Sequence, residues 1–588
     1  MTHLATTAQP ATAPQPHVRR DRSRRRTVIA VTAAYLAAAA FRIALSATRV
    51  GPLVVGDEIG YLAHARWLAG GPGILMQGTY YYSGSSLFMA PAFWITDNAV
   101  TAYQVVLVIQ ALISAAVLPL LYAFCREIGA SSARSLGAAI VGSTIVDAVF
   151  WSSYALSESL LAALTVAWVW LTARVIRHGR SRAGLVSAGT LGLVYGLLAA
   201  AHSRGLILVG IGALVGVSFI RWAGWRNVLL CTGVGAVSVA GALWLNVATM
   251  HANYPTHAVK VLIPNGGGAG IEGVTLADQL VTALGQVWYA AAATGLLALY
   301  GIFHAWRAGL SAPPGEKAPR LTAAILLTAG CGAIVFGVAV LRSDAVIPSL
   351  DYLVYGRYVA CCLPLAATIG MLGLLGRADR TAWVLRGATV ASTVAVCALV
   401  RVQTAGIDPT TAAARPFPIP AVYALAGVVA GDSTLLHELR VTAAAVVFFA
   451  TICALGPIRH TAARVALVAV PTVAFAALSA IAVSTITLAQ DERTYPDGGT
   501  AVEAVDDART IAWDTSIGGS PTSEVVTRMR FAYFADEAEL IPFDSRTEDP
   551  PDGVDAVAAT ATWDGTEHGF EMVTPMPPVD VVLWEPVP

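Results

Sequence analysis

The feature that most constrains this chain is a succession of long apolar runs, about thirteen by the length needed to cross a bilayer. They lie near 27–48, 100–123, 133–150, 156–176, 185–201, 205–220, 227–249, 281–305, 321–341, 357–376, 382–401, 439–457 and 463–487. A helix bonds its own backbone groups inside hydrocarbon, which loops and open strands cannot do. The fold class read from this is an α-helical polytopic membrane protein. With 56% hydrophobic and 13% charged residues among 588, a soluble globular enzyme and a disordered chain are excluded. Run 419–431 is too short to cross and reads as re-entrant or interfacial.

Charge sets sides and domains. The formal net charge is zero, but residues 491–588 hold 21 of the 37 acidic residues and 5 of the 37 basic ones. The chain is a basic body of net +16 joined to an acidic tail of net −16. An amino terminus inside places 22 of the 32 basic residues of 1–490 on cytoplasmic connections, which are short. The expected organisation is a disordered basic cytoplasmic tail (1–26), a transmembrane domain (27–490) and an acidic extracytoplasmic α/β domain (491–588). The scarcity of lysine beside arginine and alanine fits a high-GC bacterial genome, hence a bacterial plasma membrane. The seven cysteines lack metal-ligand spacing and read as apolar packing residues.

The long outer loops, 49–99, 250–280, 342–356 and 402–438, are where chemistry is expected. The acidic tail shows strand-like runs at Thr510–Asp514, Glu539–Phe543, Asp555–Ala561 and Asp580–Glu585. Helical spacing at Ser523–Phe534 between the first two makes a βαβ unit. A recognition or positioning role, over the mouth of the site, is expected for it.

In the first outer loop, Asp57 and Glu58 open a short helix with Ile59, Leu62, Trp67 and Leu68 as apolar positions. It reads as amphipathic and lying on the membrane surface. Acids at a helix start also serve as caps, so capping and proton transfer both stand open for this pair. Arg42, near the outer end of the first span, is placed to pair with an acid such as Glu58. Asp147 and Glu158 flank a short outer turn; Glu158 suits contact with sugar hydroxyls or the orienting of an arginine. Arg204 and Arg357 sit at outer helix ends, where snorkelling and phosphate binding compete. Lys260 is a weaker third cation. Tyr80, Tyr81, Tyr82, Trp94, Trp151 and Tyr154 suit an aromatic belt, with Tyr80–Tyr82 also able to stack on a sugar. Gly268-x-Gly270-x-x-Gly273 lacks a preceding strand and is rejected as a dinucleotide fingerprint.

Several short motifs together resemble the GT-C superfamily of membrane glycosyltransferases, whose members include protein O-mannosyltransferases and lipid A aminoarabinose transferases. They are the Asp57-Glu58 pair followed by Tyr61, Glu158 in SYALSESL, His202-Ser203-Arg204-Gly205, and Tyr355-Gly356-Arg357-Tyr358. The likeness spans about 27–487 in architecture and extends to the outer carboxy-terminal domain.

The resemblance implies transfer of a sugar, mannose by family frequency, from a polyprenyl-phosphate donor to a hydroxyl on the outer face. Asp57 is then the catalytic base, with Glu58 beside it. Arg204, Arg357, His202 and Tyr355 hold the donor phosphate, and Glu158, Tyr61, Tyr81 and Tyr82 contact sugar or acceptor. The partners are the lipid bilayer, the lipid-linked sugar and a glycolipid, protein or peptide acceptor, with no nucleic acid. No cofactor is called for, and arginines can neutralise a monophosphate without a metal. An envelope-lipid transporter or flippase, or a non-catalytic protein with an outer binding domain, are the alternatives. The first lacks the internal repeats and Gly/Pro-broken spans expected of such folds.

Overall fold

The computed structural model describes residues 16–587 apart from 73, 75, 77–79, 219, 255–274, 343–352, 377, 406–414, 434, 459, 496–507, 519–520, 536–537 and 577–580. Lys260 and the Gly268–Gly273 motif therefore lie outside the described residues. Among those described, nine helices are long and apolar enough to cross a membrane, or eleven if each of two bent pairs is one span. The bent pairs are Ser132–Thr144 with Val146–Ser153, at 69°, and Leu276–Ala293 with Leu297–Leu310, at 98°. The expected count is about thirteen. Two of its runs coincide, among the described residues, with the shorter apolar helices Ser203–Ser218 and Leu363–Leu374. Pro420–Ala430 is likewise a short apolar helix, as expected for 419–431.

The first helix begins at Pro16, so residues 16–24 extend it ahead of the apolar span Arg25–Ser46. Arginine is a good helix former, and a helix already nucleated by an apolar run extends through it at little cost.

Small residues let spans approach closely. Helix Arg182–Ala201 packs on Trp225–Asn253 where a Cβ on Gly196 would lie 2.5 Å from that of Ser238. Arg42 does not pair with Glu58. Its Nη2 donates to the Ser143 carbonyl (2.6 Å) and its Nε to Ser114 Oγ (2.9 Å). It therefore satisfies a carbonyl at the break between Ser132–Thr144 and Val146–Phe150.

The carboxy-terminal unit is a five-stranded sheet: β1 Thr510–Asp514, β2 Glu539–Phe543, β3 Ala556–Thr560, β4 Phe570–Met576 and β5 Val581–Pro586. Its order is β2-β1-β3-β5-β4, with β1 parallel to β2 and β3 and the remaining pairs antiparallel. Helix Pro521–Phe534 connects β1 to β2, giving the expected βαβ unit. The sequence reading missed β4. It is an edge strand carrying Pro575 and an irregular register at Met572/Thr574, which blurs its alternation. The buried Asp514 carboxylate accepts from Ser516, Ser545 and Thr560, tying the ends of β1, β2 and β3 together.

The sheet domain is docked rather than tethered. Arg66 Nη2 donates to the Tyr533 carbonyl (2.7 Å), Tyr533 Oη to that of Ala99 (3.0 Å) and Tyr495 Oη to that of Pro52 (2.8 Å). These contacts clamp helix Val55–Leu68 between the helical body and the tail domain. That helix is not the surface amphipath expected from its sequence: every residue from Glu58 to Arg66 is buried. Its Asp57, Glu58, Tyr61 and Arg66 find hydrogen-bond partners within the protein, which periodicity cannot foresee.

Candidate active site

Four chain segments far apart in sequence meet at one end of the bundle. They are the first turn of helix Val55–Leu68, the start of helix Glu158–His178, the start of helix Ser203–Ser218 and the 3-10 turn Gly356–Tyr358. Each brings a charged side chain to a helix terminus, where the backbone leaves room for a polar group.

The charges form a continuous array. Arg357 Nη1 donates to Asp57 Oδ2, and its Nε to Glu158 Oε1 at 2.7 Å. Arg204 Nη2 donates to the same Glu158 oxygen at 3.1 Å. The order Asp57–Arg357–Glu158–Arg204 alternates in sign, and Asp57, 25% exposed at its side chain, is the end that meets solvent. Arg204 Nη1 also donates to the Tyr358 carbonyl (3.2 Å), and its guanidinium lies 4.9 Å above the Tyr358 ring. The Arg357 guanidinium lies between the rings of Trp151 (5.7 Å) and Phe417 (5.3 Å). Both arginines are buried, so neither snorkels.

The two neighbouring acids do different things. Glu58 is fully buried and its carboxylate accepts four hydrogen bonds. Oε2 takes those of the Leu53 and Val54 amides (2.8 and 2.9 Å), and Oε1 those of Tyr103 Oη and the Ala155 amide (2.7 and 2.9 Å). Glu58 thus anchors the loop, while its neighbour Asp57 pairs with Arg357. Glu58→Gln turns a donor group toward two other donors. The expected loss is roughly 2 kcal/mol of stability, seen as a lower midpoint of thermal unfolding in detergent, with Asp57→Asn near the wild type.

Glu158 orients both arginines, the second of its two expected roles. Asp147 lies apart from the array and accepts from Tyr289 Oη at 2.8 Å. Tyr61 is buried and donates to Ser157 Oγ (2.9 Å), so it supports the wall rather than presenting a free hydroxyl. Tyr81 Oη donates to Asp57 Oδ1 at 2.9 Å. Tyr82 stacks on His202 with ring centroids 5.9 Å apart. His202 Nδ1 accepts from the Arg204 amide (3.2 Å). Burial and the Arg204 and Arg357 guanidiniums hold the imidazole well below its ordinary range, so it stays neutral. Tyr355 is buried beside Tyr358, with ring centroids 4.8 Å apart. Trp151 and Tyr154 are buried, which corrects their assignment to an aromatic belt.

The sequence reading missed Arg49, Tyr103, Phe417 and Asp491. Arg49 is fully buried and donates to Asp491 Oδ1 (2.9 Å), Tyr103 Oη (2.6 Å) and the Gly51 carbonyl (2.9 Å). Because Tyr103 in turn donates to Glu58, a second polar chain, Asp491–Arg49–Tyr103–Glu58, holds the loop from behind. The available signal was Arg49's position at the end of the first span, just before the acidic pair.

No family model matches the chain, and no curated protein sequence does. Among solved structures, ArnT from Cupriavidus metallidurans bound to undecaprenyl phosphate aligns at a TM-score of 0.53 and 13% identity, over 95% of this chain and 97% of that one. The apo form of the same ArnT gives 0.54 at the same identity and coverage. The apo oligosaccharyltransferase of Archaeoglobus fulgidus aligns at 0.39 and 13% identity, over 87% of this chain and 64% of that one, too low to carry an argument. The chain therefore shares the fold of ArnT, a multi-pass helical architecture. The likeness to ArnT runs over nearly the whole length of both chains.

Proposed function

We propose that this chain is an inverting glycosyltransferase using a polyprenyl-phosphate sugar. The carrying observation is the Asp57–Arg357–Glu158–Arg204 array, a carboxylate with two buried guanidiniums at the end of a GT-C bundle. ArnT, which shares the fold, has been solved with undecaprenyl phosphate, and that supports a lipid phosphate as the group the arginines take.

In the reaction, the acceptor oxygen forms a bond to the anomeric carbon on the face opposite the phosphate. The bond from that carbon to the phosphate oxygen breaks, and its electron pair stays on the phosphate. Asp57 takes the acceptor proton. Arg357 and Arg204 stabilise the charge growing on the leaving phosphate, and a guanidinium stays charged throughout. In the unliganded array Arg357 is paired with Asp57; a donor phosphate competes for it and frees the base. The scheme calls for no metal. The site faces outward with the amino terminus in the cytoplasm, as the arginine distribution favours. Mannose is the sugar favoured by family frequency, and the acceptor is a glycolipid, protein or peptide hydroxyl.

The test is label transfer from radiolabelled polyprenyl-phosphate mannose to a membrane extract by purified protein, with Asp57→Asn as control. Equal transfer by both proteins overturns the role of Asp57, and no transfer by either overturns the reading with this donor. Arg357→Lys keeps the charge but cannot reach Asp57 and Glu158 together. It is expected to lower transfer roughly 100-fold, measured as initial rate at saturating acceptor.

A further inference from the structure

Helix Val55–Leu68 carries two glycines one turn apart, Gly56 and Gly60, beside Asp57. Glycine inside a helix costs about 1 kcal/mol relative to alanine, so a pair on one short helix calls for a spatial reason. The reason is the Tyr81 ring, which fills the groove they leave. A Cβ on Gly60 would sit 2.1 Å from Tyr81 Cδ2, and one on Gly56 would sit 3.3 Å from Tyr81 Oη. The Tyr61 ring also borders it, 5.6 Å from that of Tyr81 between centroids and tilted 57° to it. A single ring thus fills the slot, and at its end the Tyr81 hydroxyl donates to Asp57 Oδ1.

This arrangement puts a six-membered ring bearing a hydroxyl against the base of the proposed reaction. Asp57 already receives Arg357 on its other oxygen. An acceptor hydroxyl that gives its proton to Asp57 needs the position that the phenol holds. Gly56, Asp57 and Tyr81 are only partly buried, whereas residues Glu58 to Arg66 are buried throughout. The slot therefore opens toward solvent at the Asp57 end. Burial and the Asp57 carboxylate hold the Tyr81 hydroxyl well above its ordinary range, so it remains a proton donor.

We propose that the Gly56–Gly60 slot is the acceptor subsite, that it takes a hydroxyl borne on a six-membered sugar ring, and that Tyr81 is a plug which the acceptor displaces. This rests on the glycosyltransferase reading and narrows its acceptor from any hydroxyl to a saccharide. A serine or threonine side chain carries no ring to fill the slot.

The experiment uses the full-length protein with polyprenyl-phosphate mannose and two acceptors, methyl mannoside and a threonine peptide. Tyr81→Phe removes the bond to Asp57 and keeps the ring. Donor hydrolysis by water is expected to rise about fivefold, the equivalent of one ordinary hydrogen bond, and the KM for methyl mannoside to fall. Gly60→Ala expels the Tyr81 ring but also narrows the slot, so hydrolysis rises while transfer to methyl mannoside falls. If Tyr81 merely positions Asp57, both variants lower hydrolysis and transfer together, which overturns the proposal.

Fluorotyrosine at position 81 tests the slot without any donor chemistry. Methyl mannoside, and not the threonine peptide, is expected to shift its fluorine resonance toward that of an exposed tyrosine. An unmoved resonance overturns the slot even if glycosyl transfer is real. A moved resonance with no turnover supports the slot and counts against the donor alone.

Discussion

Asp57→Asn is expected to lower glycosyl transfer by roughly 100- to 10,000-fold, the range for loss of a positioned general base, while the protein stays folded. Asparagine has the same shape and keeps one acceptor oxygen, so it can hold either Tyr81 or Arg357. It cannot accept a proton. The same change releases Arg357 from a charged partner, so affinity for undecaprenyl phosphate should be kept or become tighter. The two readouts therefore move apart, with rate collapsing and lipid binding surviving. A titration of undecaprenyl phosphate against intrinsic fluorescence, run beside the transfer assay, distinguishes this from misfolding, which would lower both. Weaker lipid binding with transfer intact would show that the array acts as a lipid clamp without a base.

The second large effect is on stability. Arg49→Ala should destabilise the protein by about 3–5 kcal/mol, the usual consequence of removing one partner from a buried ion pair. Arg49 and Asp491 have side-chain exposures of 0% and 8%, so water cannot replace what is lost. Asp491 also accepts from the Val50 amide (3.2 Å), and the guanidinium lies 5.3 Å from the Tyr103 ring and 5.1 Å from that of Tyr154. Truncation therefore leaves a buried carboxylate and a cavity between aromatic rings. Thermal unfolding in detergent measures the loss. The double variant Arg49→Met with Asp491→Leu should recover much of it, because a well-packed apolar pair removes the stranded charge. If the double variant is no better than Arg49→Ala, the contribution lies in the bonds to Tyr103 and Gly51 instead.

Much of the architecture was legible because bilayer length and hydrophobicity act locally. Each of the thirteen expected runs falls on helical structure, and two of them, 133–150 and 281–305, are bent helix pairs. The βαβ unit of the tail domain was legible for the same reason, since β1 and β2 are short runs bounded by turn residues. β4 was not, because an edge strand has one neighbour and a weaker pattern. Arg204, Arg357 and Glu158 stood out because a charge at the end of an apolar helix needs a partner. Arg49 did not, since one arginine just beyond a span looks like any other.

The sequence by itself determined which segments are apolar helices and which charged residues stand at their ends. It could not decide between Asp57 and Glu58. Adjacent residues on a helix project about 100° apart, and either could face the cavity. Only the tertiary structure assigns Glu58 to the Tyr103 hydroxyl and the amides of Leu53, Val54 and Ala155, and Asp57 to Arg357, 300 residues away. The physical reason is that helix formation depends on neighbours along the chain. The pairing of a buried charge depends on whichever opposite charge or backbone donor the packing brings within 3 Å or so.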